Sequence, residues 1–362
     1  MTKARELADL IANVNNGSSL ANKNLVINGA MNVAQRGTSF TTTSAYTLDR
    51  WTFQTDLLDQ YAHTVTQSTD TPEGFASSLK IEVTTSETSV ETTEDLAITH
   101  KIEAQNLQHL QAGTSSAKSL TLSFYVKSSV TGVYAVHLQA VDDSKIFPTT
   151  YTINSANTWE YKTITIPPCT IATIDNDTGE GLRLTFITIS GSTYTGGSTG
   201  SWQSYASNLF AAGHQANVSS DGDTWLITGV QLEVGEKATE FEHEPYEATL
   251  NKCYRYYYKH VHGQSYMMGM GDYYVTTQLD VIVHMPVPMR AVPSLVQTSG
   301  SGYYLAYGGA TSETMSNAWN LWVAHHHAFS LYGTPASNGT AGQARRVISN
   351  DTSAMIAMNA EL

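Results

Sequence analysis

The sequence predicts an all-β protein built mainly from antiparallel sandwich layers, and three observations predict it. Strand-period alternation recurs along most of the chain: Leu120, Leu122, Phe124, Val126; then Tyr134, Val136, Leu138, Ala140; then Leu182, Leu184, Phe186. Turn-forming stretches separate these runs, such as Asp175-Asn176-Asp177-Thr178-Gly179 and the Gly-rich segment 195–201. No helical pattern alternates with the strands, which argues against a parallel α/β fold.

Taken in order, the chain opens with its one clear helical pattern, residues 3–14. Leu7, Leu10, Ile11 and Val14 fall on one stripe, and Asn15-Asn16-Gly17 stop it. So short a helix needs a partner for its stripe. A trimeric bundle or an adaptor surface would supply one, and packing back onto its own domain is the alternative. We expect this segment, 1–23, to serve attachment and oligomerisation. A first β domain is expected over 24–250 and a second over 251–362.

The strand closing the first domain places Leu226, Val230, Leu232 and Val234 on one face. Trp225, Ile227, Gln231 and Glu233 fall on the other, and Gly235 ends it. Trp225 is thus expected to point away from the apolar face. A short helical segment from Tyr246 and a cluster of Tyr254, Tyr256, Tyr257 and Tyr258 around Arg255 lead into the second domain. There, strands are expected over 273–285 and 321–332, and the chain should end in a strand docked into the fold.

Composition bounds the function. Charged residues are 14% of 362, tyrosines number 20, and the formal net charge is −13. That acidity speaks against nucleic acid or an anionic membrane as a partner. No apolar run approaches the ~20 residues that span a bilayer, so no membrane insertion is expected. Met1 leads into a charged amphipathic stretch without a long apolar core, so no signal peptide and cytoplasmic synthesis are expected. Two isolated cysteines, Cys169 and Cys253, suit neither a disulfide framework nor a zinc site.

Candidate recognition residues are aromatic, because sugars stack their apolar faces on Tyr and Trp while polar neighbours take the hydroxyls. Trp202 and Tyr205, with Tyr194, lie in or beside a Gly-rich loop. Tyr303, Tyr304 and Tyr307 sit in the Gly-flanked stretch GSGYYLAYGG, followed by Trp319 and Trp322. These seven, Tyr194 apart, are the expected ligand-binding residues; sandwich packing or trimer contact is the alternative for each. His325 and His327 fall at i, i+2 on the expected strand 321–332, as do His260 and His262 earlier. Such pairs on a three-fold axis could ligate a metal, but hydrogen-bonded histidines are the plainer reading, and no metal or cofactor is expected. Acidic stretches such as Asp221-Gly222-Asp223 lack EF-hand spacing and read as turns. No catalytic motif appears, and scattered pairs such as Asp142-Asp143 or Glu242-Glu244 do not define a glycosidase. The expectation is a binding protein, not an enzyme.

Several stretches carry a resemblance. GVQLEVG, then ATEFEHEPY, then Cys253 and Arg255-Tyr256-Tyr257 look like a junction found in tail-fibre and receptor-binding proteins of tailed bacteriophages. The likeness extends to Asn24-Leu25-Val26-Ile27-Asn28-Gly29-Ala30-Met31, Arg36-Gly37, Leu48-Asp49-Arg50-Trp51, the 100–107 stretch, Leu120–Lys127 and Thr158-Trp159-Glu160, covering roughly residues 24 to 295. Tyr254 stands where the family usually has Gln. The resemblance implies a jelly roll like those of carbohydrate-binding modules, followed by a smaller C-terminal β-sandwich. It implies a homotrimeric tail fibre of the virion that joins other tail or adaptor proteins through its N-terminal helix and attaches to a host cell-surface glycan. A decoration protein without a receptor role, or a polysaccharide-degrading tailspike, are the alternatives.

Overall fold

A computed structural model of the chain describes residues 22–41, 44–56, 61–298, 300–308, 311–315 and 318–362. The expected N-terminal helix, with Leu7, Leu10, Ile11 and Val14, lies outside the described residues. The chain divides into two compact units, Met1–Tyr246 and Glu247–Leu362.

Among the described residues, the first unit holds thirteen strands: β1 (Ser39–Phe40), β2 (Ser44–Tyr46), β3 (Trp51–Asp56), β4 (Ala62–Ser68), β5 (Ser78–Thr85), β6 (Asp95–Glu103), β7 (Leu120–Ser128), β8 (Gly132–Ala140), β9 (Lys145–Ile153), β10 (Glu160–Ile166), β11 (Glu180–Ser190), β12 (Gln203–Ser204) and β13 (Thr224–Val234). They form two antiparallel sheets, in the orders β1-β4-β5-β13-β7-β10 and β12-β9-β8-β11-β6-β3-β2. The crossovers between these sheets make a jelly-roll sandwich. Trp51, Phe53, Phe124, Phe186 and Trp225 fill the space between the sheets. The alternation in β7, β8 and β11 delivers its apolar residues to this core as the sequence predicts.

Strand β13 does not alternate as expected. Trp225 and Ile227 point into the core together with Val230 and Leu232. A bulge between Thr228 and Gln231 shifts the register by a residue, so the inward face changes parity midway. Gly229 makes this possible: its φ is +61°, and a Cβ there would stand 2.7 Å from the Phe75 ring. Trp225 is therefore a core residue, with its indole N–H 3.2 Å from the Tyr151 hydroxyl. Gln231 and Glu233 do lie on the outer face, where the following segment covers them. Glu242 N donates to Gln231 (2.8 Å), and Thr239 donates from N and Oγ1 to Glu233 (2.8 and 2.7 Å).

The residues behind the phage-fibre resemblance are structural. Asn28 sits at φ +60° and uses its side chain to hold Val33 and the Asp49 carbonyl, while the Trp51 indole donates to the Asn28 carbonyl at 3.1 Å. Asp49 is fully buried and accepts from Gln35 N at 2.6 Å. The exposed-side Trp159 donates to Asp70 at 3.1 Å.

The second unit begins with the helix Tyr246–Tyr254, followed by β14 (Tyr257–His262), β15 (Met267–Val275), β16 (Gln278–His284), β17 (Ser294–Thr298), β18 (Tyr304–Gly308), β19 (Thr311–Thr314), β20 (Asn320–Ala324), β21 (Ala328–Gly333), β22 (Ala344–Ser349) and β23 (Met355–Asn359). A three-stranded sheet, β14-β23-β17, packs on a seven-stranded one, β19-β18-β22-β15-β16-β21-β20. Their shared core includes Val261, Tyr273, Tyr304, Trp319, Phe329 and Ile356. The terminal strand β23 lies central in the smaller sheet, as the sequence predicts.

Two expected single strands are hairpins. The 273–285 run turns at Thr276-Thr277, since Val275 faces Gln278. The 321–332 run turns at the histidines: Ala324 faces Phe329, and His325 N donates to the Ala328 carbonyl at 2.8 Å. Both cysteines are buried, and no disulfide joins them.

Candidate glycan-binding face and a distal groove

The outer face of the first unit's seven-stranded sheet follows from register. Tyr46 faces Thr52, Thr52 faces Thr99, Thr99 faces Thr185, and Thr185 faces His137, so five strands contribute one continuous row. A second row holds Lys101, Arg183 and Gln139, and at the far end Asp56 faces Asp95. Four of these side chains are buried although they face away from the core: Thr99, Thr185, His137 and Asp95. The segment after β11 explains this. It folds back over the sheet, packing Ala211 and Phe210 against Ala135 and Ile187.

This leaves a polar floor beside tyrosine walls. The Tyr194 hydroxyl donates to the Thr93 carbonyl at 3.3 Å, and its ring packs edge-on against Phe210. Tyr205 is 42% exposed and close enough to Arg183 and Asp95 for both charges to act on its phenol. Tyr46 likewise acts on Arg183, and the Arg36 guanidinium lies 5.1 Å from the Tyr46 ring centroid. Arg183 is held by a two-pronged ion pair to Glu180 at 2.6 and 2.8 Å.

Three polar atoms on this face have no hydrogen-bond partner among the described residues: Thr52 Oγ1, His137 Nε2 and Asp95 Oδ1. The His137 Nδ1 proton is committed to the Phe210 carbonyl at 2.7 Å, so Nε2 is left as an acceptor. Burial holds that imidazole neutral, down to about 4. Burial, with the neighbouring Asp56 charge second, pushes the Asp95 carboxyl up to about 7. These three atoms lie beneath the covering segment, and the exposed part of the face is its rim, where Tyr205 stands. The Asp56–Asp95 pair stands side by side across two strands, with side chains about 5 Å apart at Cβ.

Of the expected recognition residues, Tyr205 and Tyr194 reach this face. Trp202 does not: its indole donates to the Pro167 carbonyl at 2.8 Å and its ring leans on Phe147 at the core's edge. Tyr46, Thr52, Thr99, Thr185, His137, Arg183 and Asp95 were not singled out from the sequence. They come from five strands and meet only through register.

The second unit splits its expected residues. Tyr304 and Trp319 are core, packed edge-to-face at 5.9 Å, with the Tyr304 hydroxyl donating to the Met355 carbonyl. They were expected as exposed platforms, but both are too deeply placed to meet a ligand. Tyr303 is half-buried against the same core. Trp322 is 59% exposed and abuts Tyr332 edge-on. Tyr307 lines a groove of about 530 Å3 with Arg346, Met270 and Ser312.

The two histidine pairs are placed differently from the expectation. His325 and His327 sit in the hairpin turn and not along one strand face. His260 is engaged on both nitrogens, by the Tyr258 hydroxyl at 3.0 Å and the Met268 carbonyl at 2.6 Å, whereas the His262 ring lies tilted against Tyr266. No cluster of three or more His, Cys, Asp or Glu suited to a metal occurs among the described residues. The acidic loops are turn chemistry: Asp177 caps Gly179 N, and Asp223 caps Ser220 N. Asp142 and Asp143 hold the backbone of Asp175 and Thr173.

No family model and no curated protein matches the chain. Among solved structures, it is similar to the enzymatically active domain of tailspike protein 4 of bacteriophage CBA120, at 14% identity over 59% of this chain, with a TM-score of 0.32. The match spans only 22% of that tailspike chain. It is also similar to a putative sugar binding protein from Bacteroides thetaiotaomicron, at 12% identity over 59% of this chain and 100% of that one, with a TM-score of 0.35. A family 11 carbohydrate-binding module from Clostridium thermocellum matches at 9% identity over 57% of this chain and 98% of that one, with a TM-score of 0.28. Likeness at these values carries no function to this chain; what it can do rests on its own side chains.

Proposed function

We propose that this protein is a non-enzymatic structural protein of a tailed-phage virion, a homotrimeric tail fibre that attaches to a host cell-surface glycan. The observation that carries the glycan reading is the rim of the outer face just described, where the exposed Tyr205 ring stands beside Arg183, with Tyr194 and Tyr46 bordering the same threonine-rich face. The tail-fibre reading rests on the residues shared with that family along 24 to 295. Shallow single sites on three chains bind weakly one by one and gain avidity together.

The test is direct. The full chain and its Tyr205→Ala variant are applied to a glycan array, and any hit is titrated. The proposal expects selective binding that weakens about 10-fold in the variant, since loss of a stacking ring costs roughly 1–1.5 kcal/mol. No binding to any glycan would sink it. A solution mass near one chain of 39.3 kDa, instead of three, would remove the trimer.

One observation favours a polysaccharide-degrading rival: the Asp56–Asp95 pair, with one carboxyl protonated near neutrality. Shortening of an array-hit polymer by the wild-type chain, abolished in Asp95→Asn, would establish that rival instead.

A further inference from the structure

The groove in the second unit has a charge logic of its own. Tyr307 faces Ser312 on one side and Arg346 on the other, and Arg346 faces Met270, so four side chains line up on the outer face of the large sheet. The Arg346 guanidinium lies 5.7 Å from the Tyr307 ring centroid. Met270 is 64% exposed beside it and forms an apolar floor. Thr311 and Ser312 bring hydroxyls to the rim.

Arg346 is exposed, and no carboxylate among the described residues comes within ion-pair distance of it. Its chain neighbour Arg345 also lines the groove but is neutralised. That side chain is buried, lies over Tyr273, and pairs with Glu313 at 3.3 Å. By register the nearest acid on the face of Arg346 is Asp272, which stands opposite Ala344, one pair further along. A chain of net charge −13 thus presents an uncompensated guanidinium in a groove, preorganised by a ring.

We propose that this groove binds an acidic sugar unit, one carrying a carboxylate or a phosphate. The ring of the sugar would lie on Tyr307 and Met270. Its anionic oxygens would take two parallel N–H donors of Arg346, the fork geometry that arginine offers and lysine does not. Thr311 and Ser312 would meet the adjoining hydroxyls. The site is separate from the face of the first unit, and its ligand class is narrower.

The experiment titrates the full chain with three probes: trigalacturonic acid, a glycerol-phosphate oligomer, and neutral galactotriose. The expected result is preference for one of the acidic probes over the neutral one by about 10-fold, shrinking as salt rises. Preference for the carboxylate probe over the phosphate probe, or the reverse, names the source. Arg346→Gln should abolish the preference, Arg346→Lys should retain part of it, and Tyr205→Ala should lower binding of the neutral probe while the Arg346-dependent binding of the acidic probe persists. Arg346 is exposed, so its variants should melt like the wild type. Equal binding of acidic and neutral probes, or a preference that survives Arg346→Gln, overturns the proposal. Neutral binding lost in Tyr205→Ala, without any acidic preference, would remove this inference and leave the first reading standing. The reverse pattern would do the opposite.

Discussion

Each unit contains a seven-stranded antiparallel sheet, and the outer faces of the two sheets are opposites. In the first unit that face is roofed by the chain itself: His137, Thr185 and Asp95 are buried there, and polar atoms sit without partners. In the second unit the face is bare. Met270, Ile282 and Trp322 are each about 60% exposed on it, beside Tyr307 and Tyr332. The first face is a shaped, polar floor whose groups are fixed by their neighbours. The second is an open aromatic and aliphatic surface with one cationic groove. What the difference teaches is that burial on a solvent-side face, more than aromatic content, marks where a fold has invested in a specific polar site.

The largest test of this contrast is acid. His137 and His214 are held neutral by burial, down to about 4 each, and His100 is pushed down as well. Their unfolded forms take protons from about pH 6.5, so the stability they confer is full above that and is lost as pH falls towards 4. His137 and His214 each contribute on the order of 3 kcal/mol. In the second unit burial lowers His260 and His262 in the same direction, the second with help from the nearby Lys259 charge. Calorimetry from pH 7 to 4 should therefore show the first unit's transition falling faster. Equal falls would break the contrast.

Next in size is the pair of tryptophans. Trp225→Ala removes a core ring and should cost about 3–5 kcal/mol, whereas Trp322→Ala on the bare face should cost under about 1 kcal/mol. Denaturant melts of both variants check this. A costly Trp322→Ala would mean that the face is covered in the protein as it exists.

Asp95 gives an opposite pH signature. Its carboxyl is raised to about 7 in the fold, so its contribution is most favourable below the unfolded value near 4 and is lost as pH rises to 7. Asp95→Asn should accordingly stabilise the chain at pH 8 by up to about 3 kcal/mol and change little at pH 4. Melting at the two pH values reads this. A uniform effect would place Asp95 in a different environment from the one described.

How much of this was legible in the sequence follows from what each signal encodes. Long alternating runs such as β7 and β11 were readable because burial on one face leaves a period of two. The bulge at Gly229 was not read, although a glycine inside a strand is its usual mark; one extra residue reversed Trp225 from outer face to core. The hairpins at Thr276-Thr277 and at the histidines were merged into single strands, because neither turn carries Asn-Gly or Asp-Gly. Glycine-flanked loops point to Tyr205 and Tyr307, which lie at accessible positions, but the same reasoning picks Tyr304 and Trp319, which are core. Aromatic rings in loops and in cores look alike until packing is known. The threonine row, Arg183 and Asp95 had no local signal at all, since register alone brings them together.

The measurement that bears most directly on the central claim is the position of bound sugar. Crystals of the full chain soaked with the tightest neutral oligosaccharide from the array should show it on the outer face of the first unit's large sheet. A ring should lie against the exposed Tyr205, on the Arg183 side of that face. Sugar seated anywhere else, with that face empty, would contradict the account.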